Sequence, residues 1–174
     1  MNGMTAINLD TSFTAQLDCL NWGTSIKPVM IIESAFMDMA DSGWLCLPES
    51  FDTVNTTPVT LRFDFIERRD NRRHYRVTCV TEGSHYFGRQ MDSSLNRFLG
   101  FYRSVSDDVF WKIEEIGVHG EGENARPAFI LRDRLGYTVK IKTHGPGLSL
   151  IAYLSTHSVT SDEVHFTLAD YKPL

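Results

Sequence analysis

Cysteine is scarce in this chain, three in 174 residues, and Cys19, Cys46 and Cys79 form an odd set with no close pair. That speaks against a disulfide framework and supplies no zinc-ligand spacing. Cys46 and Cys79 lie within apolar alternating patterns and read as small buried hydrophobes. No apolar run approaches the roughly 18 residues of a membrane-spanning helix, and Met1 to Ala6 lacks the basic head and apolar centre of a secretory leader. A soluble protein, cytoplasmic or leaderless, is the expectation, with secretion not excluded. Basic charge is also short. The 17 Lys and Arg against 22 Asp and Glu leave a net charge of −5, which argues against nucleic acid or an anionic lipid surface as partner.

Catalytic spellings are absent as well: no Gly-x-Ser-x-Gly elbow, no phosphate-binding loop ahead of Lys and Ser/Thr, no His-Glu-x-x-His, no dinucleotide fingerprint. The six histidines, His74, His85, His119, His144, His157 and His165, stand singly, so each reads as a surface or turn residue and not a metal ligand. Asp107-Asp108 and Glu114-Glu115 are adjacent acids, and neighbours on a strand face opposite sides, a poor geometry for a two-carboxylate mechanism. A protein that is not an enzyme and has no cofactor or metal is expected.

What the chain does have is period-two apolar alternation almost everywhere beyond its opening segment, broken by turn residues, which is the trace of an all-β domain. One phrase recurs three times: Leu61 to Glu67, Val109 to Glu115 and Val164 to Asp170 each carry an aromatic, a polar residue, a second apolar residue and then an acid. Phe63 to Trp111 is 48 positions and Trp111 to Phe166 is 55, a loose period that indicates a threefold internal repeat. Phe63, Trp111 and Phe166 are expected to form a central core layer, supported by Phe65, Ile113 and Leu168. The whole chain, 1–174, reads as one domain, with an N-terminal segment at 1–26 docked as a strand or short helix and repeats at 27–70, 73–117 and 126–171. Arg68 to Arg73 and Gly117 to Arg126 read as solvated linkers between repeats.

Three units of four strands, with Trp44, Tyr86 and Tyr137 leading the second strand of each, resemble the β-trefoil. A two-sheet β-sandwich is the alternative. Closing the sheet into a barrel suits the pattern, because closure removes free strand edges and one four-stranded unit cannot bury its apolar face alone.

Aromatics mixed with hydrogen-bonding groups at strand ends suit sugar recognition, in which a ring stacks on the apolar sugar face and polar groups satisfy the hydroxyls. Tyr86, Arg89, Tyr137 and His157 are the candidate carbohydrate-binding residues, and core packing of the tyrosines is the competing reading. Leu135-Gly136-Tyr137-Thr138, Ile151-Ala152-Tyr153-Leu154 and Phe166 to Lys172, with His85-Tyr86-Phe87-Gly88-Arg89, resemble stretches of the amaranthin-type plant lectins. That resemblance implies a trefoil agglutinin for galactose-type sugars, often dimeric. Glu33-Ser34-Ala35, Gly43-Trp44-Leu45-Cys46 and Pro58-Val59-Thr60-Leu61 resemble a run in interleukin-1-like cytokines, there in the last third of the chain. The expected partners are glycans or glycoproteins, with a homodimer possible, and the alternative is a protein-binding module such as a protease inhibitor or cytokine-like ligand.

Overall fold

The computed structural model describes residues 6–33, 42–47, 56–103, 105–144, 151–156 and 162–174. Among these there is no α-helix, only strands and one 3-10 turn at Gly122–Asn124. The strands are β1 (Phe13–Cys19), β2 (Lys27–Pro28), β3 (Met30–Ile32), β4 (Leu45–Leu47), β5 (Thr56–Pro58), β6 (Thr60–Arg69), β7 (Arg72–Cys79), β8 (Gln90–Ser93), β9 (Leu99–Tyr102), β10 (Trp111–His119), β11 (Arg126–Arg132), β12 (Lys140–His144), β13 (Ile151–Ser155) and β14 (Phe166–Pro173). The protein is all-β, as its alternation requires.

Six strands close into a barrel in the order β1, β6, β7, β10, β11, β14 and back to β1, with every neighbour antiparallel. The strict alternation of β1 shows why: Phe13, Ala15, Leu17 and Cys19 are buried and the residues between them are half-buried. Grouped in chain order as three units, β1–β6, β7–β10 and β11–β14, the strands place the first of each unit against its last through a pair of aromatics, Phe13 opposite Phe63, Tyr75 opposite Trp111 and Phe129 opposite Phe166. These six are the largest fully buried side chains of the described residues. Phe13 stacks on Phe63 at 4.8 Å, and Tyr75 meets both edge-on at 5.6 Å. The Tyr75 hydroxyl, buried with its ring, donates to the Leu9 carbonyl, as a buried phenol must find an acceptor.

Six further strands form three hairpins, β3–β4, β8–β9 and β12–β13, while β2 pairs with β1 and β5 with β3. The hairpins interlock in a cycle. Trp44 bridges Gly100, Phe98 bridges Ser155, and Tyr153 pairs with Cys46, so the aromatic of each hairpin meets a small residue of the next. The residue after each aromatic, Leu45, Leu99 and Leu154, turns the opposite way and joins the same buried cluster as the barrel aromatics. Trp44, Phe98 and Tyr153 pack on one another with ring centroids 4.3–5.5 Å apart. Gly100 is small for a reason, since a Cβ there would lie 2.8 Å from the Gly43 carbonyl oxygen.

Burial of Phe63, Trp111, Phe166, Ile113 and Leu168 agrees with the sequence, and Phe65 is half-buried against the core. Other expectations need correction. Residues 13–19 are a wall of the barrel and not a docked preamble, because their alternation completes the closure between β6 and β14. Val29 to Ile32 therefore belongs to the second strand position of the first unit. Trp44 is equivalent to Phe98 and Tyr153, not to Tyr86 and Tyr137, which sit in turns before β8 and β12. Arg68 to Arg73 is no loop: β6 and β7 continue to Arg69 and from Arg72, joined at Asp70 with φ +54°. Likewise β10 runs on to His119. None of the three cysteines forms a disulfide, and all are buried.

Candidate functional site

Of the four residues singled out in the sequence, Tyr86 is spent on packing. It is buried, with Gly43 against its ring so closely that a Cβ on Gly43 would lie 2.6 Å from the ring, and the Arg89 guanidinium sits 5.1 Å from its centroid. Its hydroxyl shares a hydrogen bond with Ser42. Glu33 holds this turn from the first unit, accepting from the Ser84 hydroxyl and from the His85 amide at 3.1 Å. Tyr137 is 56% exposed, at the end of a turn in which Asp133 accepts the amides of Leu135 and Tyr137 at 3.0 and 2.9 Å. Nothing brings Tyr137 to Tyr86 and Arg89. His157 lies outside the described residues.

A cavity of ≈340 Å³ opens instead where three loops of the second and third units converge. Asp92, Ser93 and Ser94 come from the end of β8, Arg97 from the β8–β9 turn, Ser106 and Phe110 from the approach to β10, and Arg134 and Leu135 from the Asp133 turn. Its position follows from the barrel. Trp111 lines it and fixes β8 by donating its indole N–H to the Met91 carbonyl at 3.0 Å, while Gln90 donates to the Val109 carbonyl at 3.1 Å. Arg97 takes φ +69°, a strained backbone for a side-chain-bearing residue, and its amide donates to Ser94 at 2.8 Å.

The register explains the cavity. Ile31 and Ile141 are the Cα partners of Leu45 and Leu154, and both are buried. The matching partner of Leu99 is Ser93, so the second unit has a hydroxymethyl where the other two place an isoleucine. The neighbouring position, facing the small residue of each hairpin, is Met30, Asp92 and Lys140. Only the second unit carries an acid there. Burial pushes the Asp92 carboxyl above the usual carboxylate range, against the opposing Ser93 amide, which donates to it at 2.7 Å, and the charge of Arg134. No ion-pair partner of Asp92 is present among the described residues. Asp133, the other carboxylate of the lining, accepts both of its turn amides on Oδ1. Leu95 and Leu135 stand on the rim, fully and 65% exposed.

A second cavity, ≈360 Å³, lies beside Leu9, Arg73, Glu115 and Arg126. There Arg73 is closed between Asp10 at 2.6 Å and Glu115 at 2.5 Å, and its hydrogen bond holds the Asp10 carboxyl below its ordinary range. Those charges satisfy one another. Glu114, adjacent to Glu115, faces the other side and is shared by Arg72 and Arg132; burial would raise its carboxyl, but the two guanidiniums outweigh it and hold it low. His74 proves to be buried, stacked on Phe110 at 4.8 Å, and desolvation lowers its pKa despite Glu67 at 3.4 Å.

Sequence reasoning missed Asp92, Ser93 and Arg97. Asp92-Ser93-Ser94 looks like an ordinary polar turn, and the only signal was that the second unit breaks the apolar spacing kept by Val29-x-Ile31 and Val139-x-Ile141. Among the described residues no group of His, Cys, Asp and Glu is placed to hold a metal ion, and no helix is long and apolar enough to cross a membrane. No family model, no curated protein and no solved structure matches this chain.

Proposed function

We propose that the chain is a non-enzymatic carbohydrate-binding protein of β-trefoil architecture whose principal site is the cavity at Asp92. What supports the trefoil reading is the barrel order, in which first and last strands of three units alternate, together with the closed cycle Trp44–Gly100, Phe98–Ser155, Tyr153–Cys46. The observation that carries the site is the change of residue at one hairpin register position, Ile31 and Ile141 in two units but Ser93 in the other. Ser93 leaves open the space that Ile31 and Ile141 fill elsewhere, and Asp92 stands at its edge with acceptor capacity to spare.

A glycan fits this chemistry. A carboxylate accepts hydroxyl donors more strongly than a neutral acceptor does, Arg97 and the serines provide donors and acceptors, and Leu95 and Leu135 give apolar contact for a sugar face. Hydrolysis needs a second carboxylate for acid and base roles, and the one available, Asp133, is fixed in its turn by two amides on Oδ1. Binding without bond cleavage is therefore the reading favoured. The site is built once, between the second and third units, so a crosslinking activity calls for a homodimer, in which pairing two weak sites raises avidity about 10²–10⁴-fold.

A glycan array followed by competition with free sugar tests the proposal: saturable binding that sugar displaces supports it, and absence of any glycan hit overturns it. The second reading, a protein-binding module, is favoured by the exposed Leu95 and Leu135. Capture of a protein partner that free sugar does not displace, and that Leu95→Ser with Leu135→Ser abolishes, would establish that reading instead.

A further inference from the structure

Beside the cavity, on the outer face of the barrel, the charge pattern runs against the acidic balance of the chain. Lys112 on β10 is the direct Cα partner of Arg132 on β11. Like charges directly opposite on antiparallel strands are destabilising. The nearest carboxylate in the ladder, Glu114, is divided between Arg72 at 2.7 Å and Arg132 at 2.9 Å, so two guanidiniums share one negative charge. Lys112 has no carboxylate within ion-pair distance among the described residues; its ammonium donates to the Arg134 carbonyl at 2.9 Å and lies 5.7 Å from the centroid of the Phe110 ring. Both Arg134 and Phe110 line the cavity. The uncompensated ammonium is thus fixed at the cavity's margin by two residues of its wall. Burial, then Arg72, hold it below the ordinary lysine range, with Arg132 and Arg69 adding to the effect against Asp133.

We propose that Lys112, with Arg72 and Arg132, is an oxyanion subsite, so that the preferred glycan carries a sulfate or carboxylate beside the sugar held at Asp92. This rests on the glycan-binding reading for its ligand, while the subsite itself is a property of the three cations. An oxyanion placed there relieves the Lys112–Arg132 repulsion and gains charge-assisted hydrogen bonds from the N–H groups that remain once Arg132 has donated to Glu114 and the Gly136 carbonyl, Arg72 to Glu114 and Lys112 to the Arg134 carbonyl. Carboxylates already nearby limit its strength. Glu114 neutralises one of the guanidiniums, and Asp92 repels an anion, so the acidic group must sit on the Lys112 side of the cavity.

The test compares a sulfated oligosaccharide, its desulfated parent and a uronic-acid oligosaccharide in titrations of the wild-type chain and of Lys112→Gln, with inorganic sulfate as a fourth probe. The expected result is about a tenfold preference for an acidic glycan over the neutral parent at low salt, as one charge-assisted contact provides. That preference should shrink as sodium chloride is added and fall below about threefold in Lys112→Gln. The melting temperature of Lys112→Gln should be no lower than that of wild type, because the substitution removes a like-charge pair. The sulfated and uronic-acid arms distinguish the two sources of the oxyanion. Equal binding of acidic and neutral glycans overturns the subsite and leaves the glycan reading standing. If no glycan binds, the glycan reading fails and inorganic sulfate decides: millimolar binding lost in Lys112→Gln upholds the subsite, and none overturns it.

Discussion

Inside the barrel the chain uses one packing solution three times, an aromatic on the first strand of each unit facing an aromatic on the last; at the hairpin positions around the cavity the second unit departs from the other two. Phe13–Phe63, Tyr75–Trp111 and Phe129–Phe166 differ in size yet keep the same register. At the hairpin positions, Ile31, Ser93 and Ile141 keep the register but not the character, and Met30, Asp92 and Lys140 do not even keep the charge. The difference has a physical basis. A buried aromatic that loses its partner leaves a void costing several kcal/mol, which holds all three units to one pattern, whereas a residue at the edge of a loop is released from packing and free to serve a ligand.

The sharpest way to break the inner half of this comparison is Trp111→Ala, which removes both the ring facing Tyr75 and the indole bond to Met91. It should cost roughly 3–5 kcal/mol in chemical denaturation, and a loss under about 1 kcal/mol would remove Trp111 from the core layer. Next comes the hairpin cycle. Gly100→Ala puts a Cβ against the Gly43 carbonyl and the Trp44 ring and should cost about 1–3 kcal/mol. Gly83→Ala, with φ +75° but open space around it, should cost less, about 1 kcal/mol.

At the cavity the sign reverses. Because burial raises the Asp92 pKa in the folded state, the folded chain holds the proton at pH values where the unfolded chain has released it. Asp92 therefore costs stability above its folded pKa, a cost that fades as pH falls through that pKa and is absent below the ordinary value of 3.8. Asp92→Asn should raise stability at pH 7, with the gain vanishing near pH 3, while ligand binding weakens. An Asn variant less stable than wild type at pH 7 would show the carboxylate to be structural. The smallest effect belongs to Tyr137→Ala. Its ring is mostly exposed, so thermal stability should change by less than about 0.5 kcal/mol; any larger loss would make it a packing residue.

The barrel was the more legible part. Phe63, Trp111 and Phe166 announce themselves because a buried strand face leaves a period-two trace. The first unit was read one strand late, since the phrase around Phe13 has Ala15 where the others have a bulky residue, and its alternation resembles that of any amphipathic strand. For Tyr86 the sequence leaves sugar contact and core packing both open, because the residue that decides between them, Gly43 close against the ring, is distant in the chain. The cavity was not legible as a site, for it is assembled from residues near 92–97, 106–111 and 133–135, and the informative residue is a serine whose meaning appears only beside Ile31 and Ile141.

That serine also provides the most direct test. A glycan found on the array would be titrated calorimetrically into the wild-type chain and into Ser93→Ile, with thermal melts of both. If the cavity exists because Ser93 stands where the fold elsewhere places isoleucine, the variant should melt no more than a few degrees from wild type and lose at least about tenfold in affinity, the scale of one removed polar contact and its space. Undiminished binding by a folded Ser93→Ile variant would contradict the account, because the ligand would then have to bind elsewhere.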